Sequence, residues 1–197
     1  LVVPLTRSIA KANKNTPLSE IELLIQSKYH EARLCALLIL VEQFKKATEL
    51  QKDVLYDFYL NHIDYINNWD LVDISCPYIV GNYLLDKDRS RLYELAESKH
   101  LWSQRIAVVS TIAFIRKGEF LDTFALAGKL LNHEHDLMHK AIGWMLREVG
   151  KKDRAALTDF LERNASLMPR TSLRYAIEHY PETERKAFLS VKQIKNK

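Results

Sequence analysis

The stretch HEARLCALLILVEQF at 30–44 and the stretch RAALTDFLERN at 154–164 carry apolar residues at i, i+3, i+4 and i+7, the spacing of one helix face. The same period runs through most of the chain, and only five glycines interrupt it. TPLSE at 16–20, with Pro17 suited to a first helical turn, reads as a helix start, and so do LMPRTS and HYPETE near the C-terminus. Alternation of apolar and polar residues around Asn-Gly or Asp-Gly turns, the mark of a hairpin, occurs nowhere. The pattern predicts an all-α chain of about twelve helices, with ends uncertain by roughly two to four residues.

Those helices are spaced as a repeat. EARLCALL around Arg33, SQRIAVVS around Arg105, HKAIGWML around Lys140 and SLRYAIEH around Arg174 each set a basic residue before small and apolar positions. The steps between them are 72, 35 and 34 residues, and 72 is twice 36; the empty slot falls on Trp69. A period of about 35 with two helices per unit matches a HEAT-like α-solenoid, whose units bury their apolar faces only by stacking on neighbours. Such an array curves, and one helix of each pair is expected to line a concave binding face. Its register would set Trp69, Arg105, Lys140 and Arg174 in a row. A single domain over residues 1–197 is the expected organisation.

Composition narrows the class further. Hydrophobic residues make up 47% of the chain, which excludes disorder, and the longest apolar run, Leu34 to Val41, is too short for a membrane span. No signal-peptide pattern is present, and two cysteines, Cys35 and Cys76, make no disulfide framework, so a reducing cytoplasm is the expected compartment. Leu1 is not a methionine, and a preceding N-terminal segment is expected. The net charge of +4 is modest but uneven. Arg7, Lys11 and Lys14 stand before Pro17 without an acid, and eight basic residues face four acids between Lys140 and Arg174. Brought together by the fold, these segments would form an anion-binding surface; apart, they are a solvated helix surface.

All three tryptophans stand one helical turn from a charge: Trp69 and Asp73 at i, i+4, Trp102 and Arg105 at i, i+3, and Trp144 between Lys140 and Arg147. Buried tryptophans with charges snorkelling beside them would give the same spacing. Arg and Lys on an open surface suit a phosphate backbone, and aromatic faces among them suit bases or cations. One carboxylate between indoles, with no proton donor opposite, is a poor acid–base pair but stabilises a positive charge well. That chemistry fits loss of an N-alkylated purine, which already carries a formal positive charge. Breaking its N-glycosidic bond leaves an oxocarbenium-like sugar that Asp73 could stabilise while orienting water.

NWDLVDISCPYIVG, LWSQRIAVVSTI and MHKAIGWMLREVGKKD, with VPLTR at the start and SLRYAIEHY near the end, resemble the DNA alkylation repair family, the bacterial HEAT-like-repeat DNA glycosylases of the AlkD type. The resemblance spans essentially the whole chain. It implies that Asp73 is the catalytic carboxylate, that Trp69 and Trp144 pack against the damaged nucleotide, and that Arg105 holds a phosphate beside it. It also implies release of 3-methyladenine and 7-methylguanine from double-stranded DNA, with no metal or cofactor. Family members carry further N-terminal helices that embrace DNA, which leaves the role of Arg7 open. Lys140, Arg147 and Arg174 are assigned to phosphate contact, whereas Lys151, Lys152 and Arg154 read as ordinary surface charges. A monomer is expected.

His135 and His139 have the i, i+4 spacing of a zinc site, but HExxH is absent and no third ligand is evident, so no metal is assigned. Cys76, before Pro77 in an apolar stretch, reads as buried, and the aromatic run VLYDFYLNHIDYI reads as core. The competing function is a non-catalytic scaffold binding DNA or a protein partner, because the fold alone does not establish chemistry. Salt separates the two surfaces: phosphate-driven binding weakens steeply as salt rises, and an apolar groove does not.

Overall fold

The structure, a computed structural model, describes residues 3–194, and its secondary structure is helical throughout. Leu1 lies outside the described residues. Thirteen α-helices follow in order among the described residues: α1 (Val3–Ala12), α2 (Leu18–Ile25), α3 (His30–Phe44), α4 (Glu49–Asn61), α5 (Trp69–Ser75), α6 (Ser90–Glu97), α7 (Leu101–Ser110), α8 (Ile112–Arg116), α9 (Leu121–Lys129), α10 (Asp136–Lys152), α11 (Arg154–Asn164), α12 (Arg170–Ala176) and α13 (Glu182–Ser190). A 3-10 turn at Ile63–Tyr65 precedes α5, and a π-helical turn at Pro77–Gly81 follows it. The chain has an all-α helical-repeat fold. None of its described helices is long and apolar enough to cross a membrane.

Local chemistry sets the helix ends. Thr48 and Gln51 form a reciprocal capping box at α4, the Thr48 hydroxyl accepting from Gln51 N and the Gln51 side chain accepting from Thr48 N. The Asp153 carboxylate accepts from Ala156 N and starts α11. Pro17, Pro169 and Pro181 stand at the N-cap, one residue before the first-turn position expected for Pro17, because each holds an extended φ/ψ pair just ahead of its helix. Gly118, at φ +82°, makes the turn after α8 that a side chain would strain.

The chain divides into two compact units, residues 1–88 and 89–197. In the first unit α3 packs on α1, α2 and α5. Its residues Leu34, Ala36 to Val41 and Phe44 are all buried, covering far more than one stripe, and only several neighbours can dry such a helix. In the second unit α10 holds the same place, packed on α7, α11 and α12. Met138, Ala141, Ile142, Met145, Leu146 and Val149 of α10 are fully buried.

The packing of α10 on α12 depends on Gly143. A Cβ there would stand 2.5 Å from Tyr175 Cβ and 2.6 Å from the Ser172 carbonyl oxygen, and backbone cannot swing aside as a flexible side chain can. Gly128, late in α9, has nothing within 4 Å of the same position. Gly143→Ala should therefore destabilise by about 1–3 kcal/mol through overpacking. Gly128→Ala should be neutral or stabilise by about 0.5 kcal/mol, by reducing the freedom of the unfolded chain. Urea denaturation of both variants checks the opposite signs, and equal effects would contradict the close approach.

Candidate functional site

Trp69 is the first residue of α5, and its side chain remains 52% exposed. Asp73 follows one turn later on the same face and is half-buried. Leu71, Val72 and Ser75 on the opposite side are buried. Beneath them lies Tyr59, fully buried, whose hydroxyl is 2.9 Å from Ser75 Oγ; that Oγ in turn donates to the Leu71 carbonyl at 2.5 Å. Burial pushes the Tyr59 phenol well above its ordinary range, and Cys76 and the Asp73 charge push the same way. Tyr59 therefore stays neutral and props the helix that carries the carboxylate.

Pro77 shapes the far end of α5. It has no N–H to give to the Asp73 carbonyl four residues back, and the ladder widens, Gly81 N donating to the Cys76 carbonyl at 2.9 Å. Cys76 is buried, as its apolar surroundings predict.

The two acids of NWDLVD have different tasks. Asp70 Oδ2 accepts from His30 Nε2 at 2.7 Å, and its Oδ1 accepts from Leu71 N at 2.9 Å. The Asn68 side chain caps the helix by accepting from Trp69 N at 2.7 Å. Asn67 Oδ1 accepts from Arg33 Nη2 at 3.1 Å, and Arg33 Nη1 reaches the Ser27 carbonyl at 2.9 Å. Asp70 is thus a structural acid, and Asp73 stands one turn along the same face from the exposed indole.

The second unit places the other sequence candidates on three successively packed helices, α7, α10 and α12. Arg105, on α7, is only 4% exposed and donates through Nη1 to the Leu137 carbonyl at the start of α10. A side chain so placed holds protein backbone at the start of α10. Lys140 is half-buried and pairs with Asp136 at 2.8 Å, which raises its pKa. Arg147 is bound to Glu178 and lies 3.7 Å from Glu148. Arg174 is exposed with no ion-pair partner among the described residues. Trp144 on α10 and Trp102 on α7 are half-buried, so Trp69 is the most exposed of the three indoles. Lys151 pairs with Glu148, and Arg154 pairs with Glu184 over the Tyr180 ring.

The histidines near 135 build the start of α10. His135 Nδ1 accepts from Leu137 N at 3.1 Å, and His133 Nδ1 accepts from His135 N at 3.0 Å. His133 Nε2 meets Gln104 Oε1 at 2.9 Å, and His139 Nε2 bonds the His133 carbonyl. The His135 imidazole thus caps α10 while His133 holds the His135 N–H, a capping role that Ser, Thr, Asp and Asn usually fill and that zinc-motif spacing could not reveal. Among the described residues no group of three His, Cys, Asp or Glu is placed to hold a metal ion.

Helix pairs, with an indole and a carboxylate one turn apart on a short, propped helix, define an all-α repeat protein. The chain belongs to the DNA alkylation repair enzyme family, which it matches over residues 1–180. It is also similar to a solved structure, the predicted DNA alkylation repair enzyme from Enterococcus faecalis, with a TM-score of 0.68 and 16% identity. The alignment covers 91% of this chain and 84% of that one, a likeness of fold. No curated protein matches the chain. DNA is accordingly its substrate class.

Burial lowers the His133 pKa, and the charges of His135 and His139 lower it further. A base with a depressed folded pKa favours the neutral form on folding, so its stabilisation is complete above the unfolded value of about 6.5 and is lost as pH falls through the folded value. Protonation would also set an N–H against the His135 N–H that His133 Nδ1 now accepts. The melting temperature should fall between pH 7 and pH 5 more steeply in the wild type than in His133→Asn, which keeps an acceptor without titrating. Parallel curves would contradict the assignment.

Proposed function

We propose that this chain is a monofunctional DNA glycosylase that hydrolyses the N-glycosidic bond of positively charged alkylpurines, 3-methyladenine and 7-methylguanine, in duplex DNA. The observation that carries this reading is the pairing of Trp69 with Asp73 on one face of α5, with Asp70 already engaged by His30. Family membership supports an enzyme of DNA alkylation repair, and the chemistry of this pair narrows it.

An N3- or N7-alkylated purine carries its positive charge before the bond breaks. When the bond between sugar C1′ and the purine nitrogen cleaves, the electron pair goes to the base, which leaves neutral and needs no proton. The positive charge passes to the sugar as an oxocarbenium ion. Asp73 stabilises that cation and accepts the proton of the water that adds to C1′, leaving an abasic site. Trp69 lays an aromatic face against the cationic base or the sugar beside it. By resemblance Trp144 packs against the same nucleotide, and Lys140, Arg147 and Arg174 supply cations for the phosphate backbone. The reaction as written calls for neither metal nor cofactor.

Arg105 enters in a modified role. Its hydrogen bond to the Leu137 carbonyl supports a part in fixing the start of α10, which carries Lys140 and Trp144.

Asp73→Asn removes the charge with little change of shape. It should lower release of 3-methyladenine and 7-methylguanine from methylated duplex DNA by roughly 100-fold or more, by analogy with the loss of one preorganised electrostatic group. Affinity for the same duplex should change little. Release at the wild-type rate would remove Asp73 from the chemistry, and no release by the wild type would favour a binding module.

A further inference from the structure

We infer that His30 and Arg33 of α3, acting on Asp70 and Asn67, are positioning residues that fix Trp69 and Asp73 for the reaction proposed above, on which this inference rests. His30 and Arg33 are three residues apart and share one edge of α3. Asn67 and Asp70 are three apart across the start of α5, and the two bonds, 3.1 Å from Arg33 Nη2 to Asn67 Oδ1 and 2.7 Å from His30 Nε2 to Asp70 Oδ2, bracket Trp69 on either side.

Of the four residues from 67 to 70, three spend their side chains on holding the chain. Asn67 is held by Arg33, Asn68 caps Trp69 N, and Asp70 joins His30 to Leu71 N. The Trp69 indole is 52% exposed and makes none of these holding bonds. A surface indole serves as a stacking face only if its backbone is fixed, since otherwise ordering it costs free energy at every encounter.

α5 cannot supply that rigidity alone. It has seven residues, well below the roughly 12–15 at which an isolated helix becomes marginally stable. Its C-terminal end passes directly into the π-helical turn at Pro77. The 15-residue α3 is the long, buried helix against which it rests. The two bonds therefore transmit the position of α3 to the residue that precedes Trp69 by two and the one that follows it.

The test compares His30→Ala with His30→Gln, whose amide N–H reaches the position of Nε2. Each variant is labelled with 5-fluorotryptophan, and the Trp69 resonance is assigned with Trp69→Phe. Three quantities are read: the single-turnover rate of base release, the Kd for methylated duplex, and the Trp69 fluorine signal. A reacting group displaced by about 1 Å costs on the order of 100-fold in rate, so His30→Ala should slow release by roughly 10- to 100-fold. Its Kd should change no more than about threefold, the mark of an interaction used in the transition state rather than in binding. The Trp69 signal should shift or broaden, and His30→Gln should restore both rate and signal.

An unchanged rate and signal in His30→Ala would overturn the inference, and so would equal loss in His30→Gln. If the wild type releases no base, the glycosylase reading falls, and the fluorine signal alone decides whether the clamp holds Trp69. Should circular dichroism show His30→Ala unfolded, Asp70→Asn, which keeps the shape and removes the charge, takes its place with the same expected slowing.

Discussion

A helix that is apolar over most of its circumference has to be enclosed by others, and α3 is such a helix. The run from Ala36 to Val41 cannot be dried by one partner, so α1, α2 and α5 all pack on it. At roughly 1.5–3 kcal/mol for each large apolar side chain removed from water, this burial dominates the local energetics. It leaves the outer face of the much shorter α5 free to carry residues that contribute little to stability. In the second unit α10 meets the same demand, and Gly143 lets α12 approach closely enough to cover it.

The arrangement of NWDLVD follows from that division of labour. The buried side, Leu71, Val72 and Ser75, seats on Tyr59 and α3, and the start of the helix is tied down by Asp70, Asn68 and Asn67. Two acids three residues apart would otherwise compete for one role. Asp70 turns back to a histidine and a backbone N–H, whereas Asp73 faces the same way as Trp69. A carboxylate with an indole one turn away suits a reaction in which positive charge moves from base to sugar and no leaving group needs a proton.

Much of this was legible in the sequence because it depends on local period. The i, i+3, i+4 spacing marks the helices, the recurrence near 35 residues marks the repeat, and the four-residue step from Trp69 to Asp73 suffices to set them on one face. The His30 to Asp70 bond spans 40 residues, and no period announces it. Arg33 was visible as a repeat position, yet nothing local says that its guanidinium reaches Asn67. The burial of Arg105 was equally hidden, since a basic residue on an apolar helix face can snorkel outward or turn inward to a carbonyl. His135 and His139 have the spacing of metal ligands, but the His135 imidazole caps α10 and His139 Nε2 bonds the His133 carbonyl.

The central claim is that Asp73 acts on a leaving group that already bears positive charge. The most direct measurement is the single-turnover rate of base release from two duplexes of one sequence, the first with 3-methyladenine at the target position, the second with its neutral isostere 3-deaza-3-methyladenine. The account predicts release of the cationic base, greatly slowed by Asp73→Asn, and no detectable release of the neutral one. Comparable release of both, or release of the cationic base at an undiminished rate without the Asp73 carboxylate, would contradict it.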